Sequence, residues 1–343
     1  MRNFFSKIQD IKPSRRWQVL NTTFQADANP IANHNTGADT KPSTHTKTLS
    51  VLLVFLAVLL VSTTQVYGHG YRYTTTIAQQ NDTDVFFRRE TEVNVPIIMY
   101  HLVTEKSKYI GKYGIPPSEL EKDLKYLKDN GYNTVVMKDL IDFVKDGKSL
   151  PKKPVVLTFD DGNASDFNHL LPLLEKYHMK AVTSIIGKVT DEMTRDTEKY
   201  PNSTFPNLCW EQVKKLHEHG ALEVQNHGYN VHGPAGSGKL RNESADAYHQ
   251  RLLADIKTLQ DLCQKHLNYM PNTFCYPLGI VSKGSQAVLE ELGFKASLSC
   301  HEGMNVLKHG EEEGLFLLKR VNRANGRSAE SIIKALEADS KSE

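Results

Sequence analysis

The sequence has no strong charge of either sign. Its 42 Lys and Arg nearly balance 40 Asp and Glu, for a formal net charge of +2. No global basic field therefore marks a nucleic-acid binder. Cysteine is scarce, with only Cys209, Cys263, Cys275 and Cys300. Their spacing matches neither a zinc ribbon nor a CxxC redox pair. One or two disulfides are open to them in an exported domain, and buried free thiols are the other reading. Internal repeats are missing, which excludes a solenoid or propeller. Long apolar runs are missing too. The purely apolar stretch Val51–Val61 is short of the roughly 17–25 residues that span a bilayer. It reaches that length only when Ser62, Thr63, Thr64 and Gln65 are included.

What is present is unevenly placed. Residues 1–48 hold seven Lys or Arg against three Asp, are rich in Asn and Thr, and show no apolar period. They read as a disordered basic segment. Residues 49–66 read either as a membrane anchor with the basic leader inside, or as a signal segment cut near Val66-Tyr67-Gly68. Both predict export, with the rest of the chain anchored outside the membrane or secreted. Residues 67–92 read as a linker, and residues 93–340 as one catalytic domain.

From Val93, short β-type runs alternate with amphipathic helical stretches. The pattern predicts strands at Pro96–His101, Thr134–Met137, Pro154–Phe159, Ala181–Ile186, Leu222–Gln225, Thr273–Tyr276, Lys295–Leu298 and Leu315–Leu318. It predicts helices at Ser118–Asn130, with Ser118 as N-cap, at Asp139–Lys145, and within Ala245–Leu267. The almost wholly apolar run before Asp160 suits a parallel strand buried on both faces. Repeated βα units leave two folds open, an α/β barrel and an open doubly wound sheet.

In either fold, chemistry gathers at the C-terminal ends of strands. Asp160 and Asp161 sit there. Along a strand their side chains would point to opposite faces, but Gly162 permits a sharp turn that brings both to one place. A capped turn is the bland alternative. His227 and His232 follow another strand at i, i+5. They would not share a helical face, so a loop must converge them, and Gly228 and Gly233 favour one. One Asp and two His make a facial set for zinc or a similar divalent ion.

These segments resemble the polysaccharide deacetylases, the NodB-homology group of carbohydrate esterase family 4. Thr158-Phe-Asp-Asp-Gly162 looks like the first motif, and Glu223-Val-Gln-Asn-His-Gly-Tyr-Asn-Val-His232 like the second. Phe274-Cys-Tyr-Pro277 looks like the third, and Pro96-Ile-Ile-Met-Tyr-His101 like the first strand. The His spacing is similar to the poly-N-acetylglucosamine deacetylase branch. The resemblance implies a distorted (β/α) barrel with about seven parallel strands. It implies that Asp161, His227 and His232 bind a divalent metal, zinc first, with cobalt or nickel as alternatives. It assigns Asp160 as general base, His101 as general acid, and the Tyr276 backbone N–H as an oxyanion donor. Pro277, Arg320 and Arg323 become candidate substrate contacts, with packing and surface pairing as the other reading of the two arginines. The implied substrate is an N-acetylated polysaccharide of peptidoglycan or poly-N-acetylglucosamine type. An O-acetyl esterase and a non-catalytic carbohydrate-binding relative are the rivals.

Two departures stand out. Gly228 replaces a usual Ser or Thr, which removes a hydroxyl that would brace the ligand loop. The late Leu-x-His motif is absent, and Leu318-Lys-Arg-Val-Asn-Arg323 occupies its region. Gly233–Lys239 nearly matches a phosphate loop, but Leu240 stands where a Ser or Thr should hold magnesium, so nucleotide binding is not expected.

Overall fold

The computed structural model describes residues 91–199 and 206–340. The sequence expectations for residues 1–48 and 49–66, and nearly all of the expected linker, lie outside the described residues. Residues Glu92 and Val93 already belong to a strand. Among the described residues, no helix is long and apolar enough to cross a membrane.

The chain runs β1 (Glu92–Val95), β2 (Ile97–Tyr100), β3 (Leu102–Val103), β4 (Gly114–Ile115), α1 (Pro117–Asp129), β5 (Asn133–Val135) and α2 (Met137–Asp146). Next come β6 (Pro154–Asp161), a π-helical turn (Asp166–Leu170), α3 (Leu171–Tyr177), β7 (Ala181–Ile185), α4 (Gly187–Lys199) and α5 (Trp210–His219). It ends with β8 (Leu222–Asn226), α6 (Ala245–Leu267), β9 (Thr273–Cys275), α7 (Ser285–Glu291), β10 (Ala296–Leu298), β11 (Asn305–Lys308), β12 (Val321–Asn322) and α8 (Ala329–Asp339).

Parallel pairing gives the order β10-β9-β8-β7-β6-β2-β12, and β5 joins the first half of β6. A parallel bridge from Leu298 to Leu318 links the end of the chain back to β10. The segment 318–322 thus touches both margins of a curled sheet, which is the distorted (β/α) barrel with seven strands along its path. Leu315–Leu318 is not a regular strand. A 3-10 turn takes Glu312–Leu315, and only Leu318 bridges.

Side-chain alternation along β6 decides where the chemistry faces. Val155, Leu157 and Phe159 pack outward with the helices, beside Leu120, Leu124 and Leu170. Val156 packs inward with Ile97, Val182 and Leu298. Thr158 and Asp160 share the parity of Val156, so they face the barrel interior. Tyr100 on β2 stacks on Phe159 at 4.8 Å, which turns the next residue, His101, inward.

Helix α1 begins at Pro117, so Ser118 is inside the helix and does not cap it. Proline suits this first position because its missing N–H would be unsatisfied anyway. Helix α6 covers Ala245–Leu267, with the Ser244 side chain accepting the Ala247 N–H. A strand pair that the pattern did not suggest, β1 with antiparallel β11, lies beside the N-terminal ends of the barrel strands. All four cysteines are free thiols.

Candidate active site and metal centre

Strand β6 ends on two consecutive left-handed residues, Asp161 (φ 81°) and Gly162 (φ 64°). An aspartate in this region is strained, and such strain is held only where the surroundings fix it. Reversal at Asp161 swings its carboxylate away from the outward side it would otherwise take. A Cβ on Gly162 would lie 3.3 Å from the Ile185 Cα, so the turn needs glycine for space as well as for φ. Asp160 and Asp161 therefore reach one site, as the glycine suggested, but the aspartate itself makes half of the turn.

His227 and His232 arrive from the loop after β8. Asp161 Oδ1 lies 3.1 Å from His232 Nε2 and 3.5 Å from His227 Nε2. Yet this buried oxygen has no hydrogen-bond partner. His227 Nδ1 is 2.8 Å from the Cys275 carbonyl oxygen. A carbonyl only accepts, so Nδ1 carries the proton of that bond, and Nε2 is the atom left to face Asp161. One ligand atom from each of Asp161, His227 and His232 falls within 4.8 Å of the others. An orphaned carboxylate oxygen facing two imidazole nitrogens fits a divalent cation of borderline softness. Asp160, His227 and Cys275 also approach one another within 4.8 Å. Asp160 is less suited to a ligand role, because both its oxygens are already taken.

Arg320 takes them. Its Nη1 donates to Asp160 Oδ1 at 2.8 Å and its Nη2 to Oδ2 at 2.9 Å. Its other donors reach the Thr158 hydroxyl, the Ser299 carbonyl and the Cys300 sulfur. All five N–H groups of the guanidinium are thus engaged, and the side chain is 0% exposed. The Cys275 thiol adds a donor to Asp160 Oδ2 at 3.4 Å. Burial alone would raise the Asp160 carboxyl, but Arg320, with His227 and His101 nearby, holds it down to about 2.

Several sequence expectations need correction. Arg320 is no substrate contact, since it has no free donor and no exposure. Arg323 is likewise buried, with its Nε 2.6 Å from Asp123 on α1. Both arginines are packed and paired instead, Arg320 with Asp160 and Arg323 with Asp123 and the half-buried Glu119. Pro277 is buried as well. The Tyr276 N–H donates to the Leu298 carbonyl at 3.0 Å within the sheet, so it is not available as an oxyanion donor. The lost hydroxyl at Gly228 has a replacement. Asp255 on α6 accepts the N–H groups of Tyr229 at 2.7 Å and Asn230 at 2.8 Å. The Asn226 side chain accepts the Gly228 N–H at 2.7 Å. Gly228 sits at φ 81°, and a Cβ there would be 2.3 Å from Val231 Cγ2, so no larger residue fits this loop.

His101 lies at the end of β2, with its Nδ1 buried and without a partner. Burial pushes this imidazole below the ordinary histidine range, and the carboxylates of Asp160 and Asp161 only partly offset that. Burial also acts against charge on Asp161, but His227 and His232 outweigh it and hold the carboxyl well below its usual value. Side-chain exposure rises from 2% at His227 to 15% at His232 and 29% at Asp161. The site is therefore closed on its Arg320 side and open at Asp161 and His232.

The family profile described as polysaccharide deacetylase matches residues 147–297, which include both acids, both histidines and the Phe274–Pro277 segment. The chain carries a polysaccharide deacetylase domain. A Staphylococcus aureus (strain N315) poly-beta-1,6-N-acetyl-D-glucosamine N-deacetylase is 23% identical over 75% of this chain and 86% of its own length. A solved de-N-acetylase from Aggregatibacter actinomycetemcomitans is 26% identical, with a TM-score of 0.57 over 71% of this chain and 100% of that one. The Streptococcus pyogenes deacetylase PplD, solved with acetate, shares the fold at a TM-score of 0.58 and 23% identity, over 72% of this chain and 99% of its own.

Proposed function

We propose that this polysaccharide deacetylase is a metal-dependent hydrolase of N-acetyl groups on amino sugars of a cell-wall or extracellular polysaccharide. The observation that carries the reading is the orphaned Asp161 Oδ1 facing two imidazoles, with a braced carboxylate and an unpartnered imidazole nitrogen nearby. The S. aureus relative's name, which specifies poly-N-acetylglucosamine, supports an N-acetylglucosamine polymer as substrate.

Asp161, His227 and His232 would hold the ion. A divalent cation held there, zinc by its ligand chemistry with cobalt or nickel as substitutes, would supply Lewis acidity toward an acetamide carbonyl and water. The protein's own groups manage the protons. Asp160, fixed in orientation by Arg320, accepts a proton from the attacking water. The water oxygen bonds to the acetyl carbon, the carbon–nitrogen bond breaks, and His101 protonates the departing amine. Acetate and a free amino sugar result. Burial lowers the His101 pKa, and the proton it passes to the amine is the second proton of the attacking water, freed as acetate forms, while the first leaves Asp160 for solvent.

The test is acetate release from N-acetylglucosamine oligomers and from acetylxylan by metal-depleted protein, before and after zinc, cobalt or nickel is restored. Release from the amide substrate only after metal addition is expected. Release from acetylxylan alone would turn the reading into an O-acetyl esterase, and none from either would sink hydrolysis altogether. The basic segment 1–48 followed by the apolar run in 49–66 supports export, with the catalytic domain outside the membrane. Protease treatment of intact cells checks this, because a chain degraded only after lysis is not exported.

A further inference from the structure

Directly after His101 the chain leaves the barrel sheet and pairs β3 with β4 as a separate ribbon, whose connecting loop runs from Thr104 to Tyr113. This excursion is firmly built. The Tyr113 carbonyl accepts the Leu102 N–H at 3.0 Å, and the Gly114 carbonyl accepts the Gly111 N–H at 2.9 Å. The Lys112 carbonyl accepts the Asn322 side-chain amide at 2.8 Å. A Cβ on Gly114 would lie 2.1 Å from the Tyr109 carbonyl oxygen, so the return is fixed by glycine. What this hydrogen-bonded backbone displays is Tyr113, a residue 50% exposed whose ring leans on His101 with centroids 4.8 Å apart. The Lys112 ammonium stands 5.0 Å from the same ring.

Covering His101 does not require an aromatic residue that leaves half its own surface in water. An aromatic face held in place at the mouth of a carbohydrate site is suited to the apolar C–H face of a pyranose ring, and ordering it costs little on binding. The adjoining ammonium adds a sign. An acetylated sugar is neutral at the 2-position, whereas its deacetylated product carries an ammonium that Lys112 repels.

We propose that Tyr113 and Lys112 form a sugar subsite beside His101, in which Tyr113 stacks on a pyranose ring and Lys112 disfavours a unit already deacetylated. The subsite rests on the deacetylase reading of the neighbouring centre. It makes successive deacetylations avoid adjacent sugars, so the product polymer is modified at spaced positions.

The test uses the full chain with bound metal and N-acetylglucosamine pentamers in β-1,4 and β-1,6 linkage. Y113A should raise KM about tenfold, which corresponds to about 1.4 kcal/mol, with kcat within about twofold. Y113W should restore KM, and its added indole emission should shift as pentamer is titrated. K112E should lower KM for a half-deacetylated pentamer severalfold relative to the fully acetylated one. A Y113A defect in kcat at constant KM would mean that the ring only steadies His101, and the stacking proposal would fall. An emission of Y113W that ignores the sugar also overturns it. A KM ratio in K112E equal to that of the wild type overturns the charge preference. If the wild type releases no acetate from either pentamer, the deacetylase reading fails, and the Y113W titration still decides the platform separately.

Discussion

Asp166 hangs from the π-helical turn after β6. One of its oxygens accepts the Thr183 hydroxyl at 2.7 Å, and the other is buried without a partner. Burial, with the nearby carboxylates of Asp161 and Asp160, pushes its pKa up to about 8, against about 3.9 for an ordinary aspartate. Between those values the folded chain keeps a proton that the unfolded chain has lost, so this group makes stability fall as pH rises from about 4 to about 8. Asp166→Asn mimics the protonated acid. It should melt about 5 °C or more above wild type at pH 8 and show little gain at pH 5, as calorimetry at the two pH values would reveal. At the metal centre the balance is different. Burial works against charge on His227, but the Cys275 sulfur first, then Asp161 and Asp160, outweigh it and hold its pKa well above the ordinary range. A bound cation must displace that proton. Zinc affinity should therefore rise with pH, and titration calorimetry in buffers of different ionisation heat should detect proton release. Equal apparent heats in all buffers would contradict this. Arg320→Lys keeps the charge but cannot make two parallel bonds to Asp160. It should lower kcat about 10- to 100-fold, on the scale of a lost positioning contact, with a smaller change in KM. The two acids and two histidines were legible in the sequence because they are close in sequence to strand ends and glycines. The Arg320 pairing was not, because it joins residues 160 positions apart.

Helices carry two acids on buried faces, and both brace the site from a distance. In α1, Asp123 lies among Leu120, Leu124 and Leu127. It binds Arg323, accepts the Ala329 N–H that opens α8 at 2.9 Å, and receives the Tyr100 hydroxyl at 3.2 Å. Removing the guanidinium leaves a buried acid without its main partner, which costs about 3–5 kcal/mol. Arg323→Ala should lose that much in urea unfolding, while acetate release per folded molecule stays within a few-fold of wild type. In α6, Asp255 sits next to the buried Ile256 and three residues after the buried Leu252. Asp255→Ala frees the Tyr229 and Asn230 amides and should weaken zinc binding about 10- to 100-fold. An unaltered zinc affinity would show that the ligand loop holds itself. A charged residue at the spacing of an apolar stripe is a sequence signal, and it would have pointed to both acids. Nothing comparable marked the Tyr276 N–H. The sequence reads as a free donor after a strand, but the pairing of β9 with β10 uses it.

On the scale of the whole molecule, binary pattern was enough for the parallel strands, and the family resemblance chose the barrel over an open sheet. Most expected strands stand within a residue or two of their observed ends, because each is a short apolar run between helical stretches. The margins were harder to read. β1, β11 and the short β12 owe their places to pairing with distant strands, and Leu318 owes its place to one bridge. The pairing of β1 with β11 has a directional consequence. It puts Glu92 beside the N-terminal ends of the barrel strands, whereas Asp161, His101 and His227 crown the opposite ends. The ribbon of β1 and β11 thus lies at the pole away from the catalytic mouth. Substitutions that loosen this ribbon should therefore lower the stability of the fold and leave the chemistry at the other end untouched.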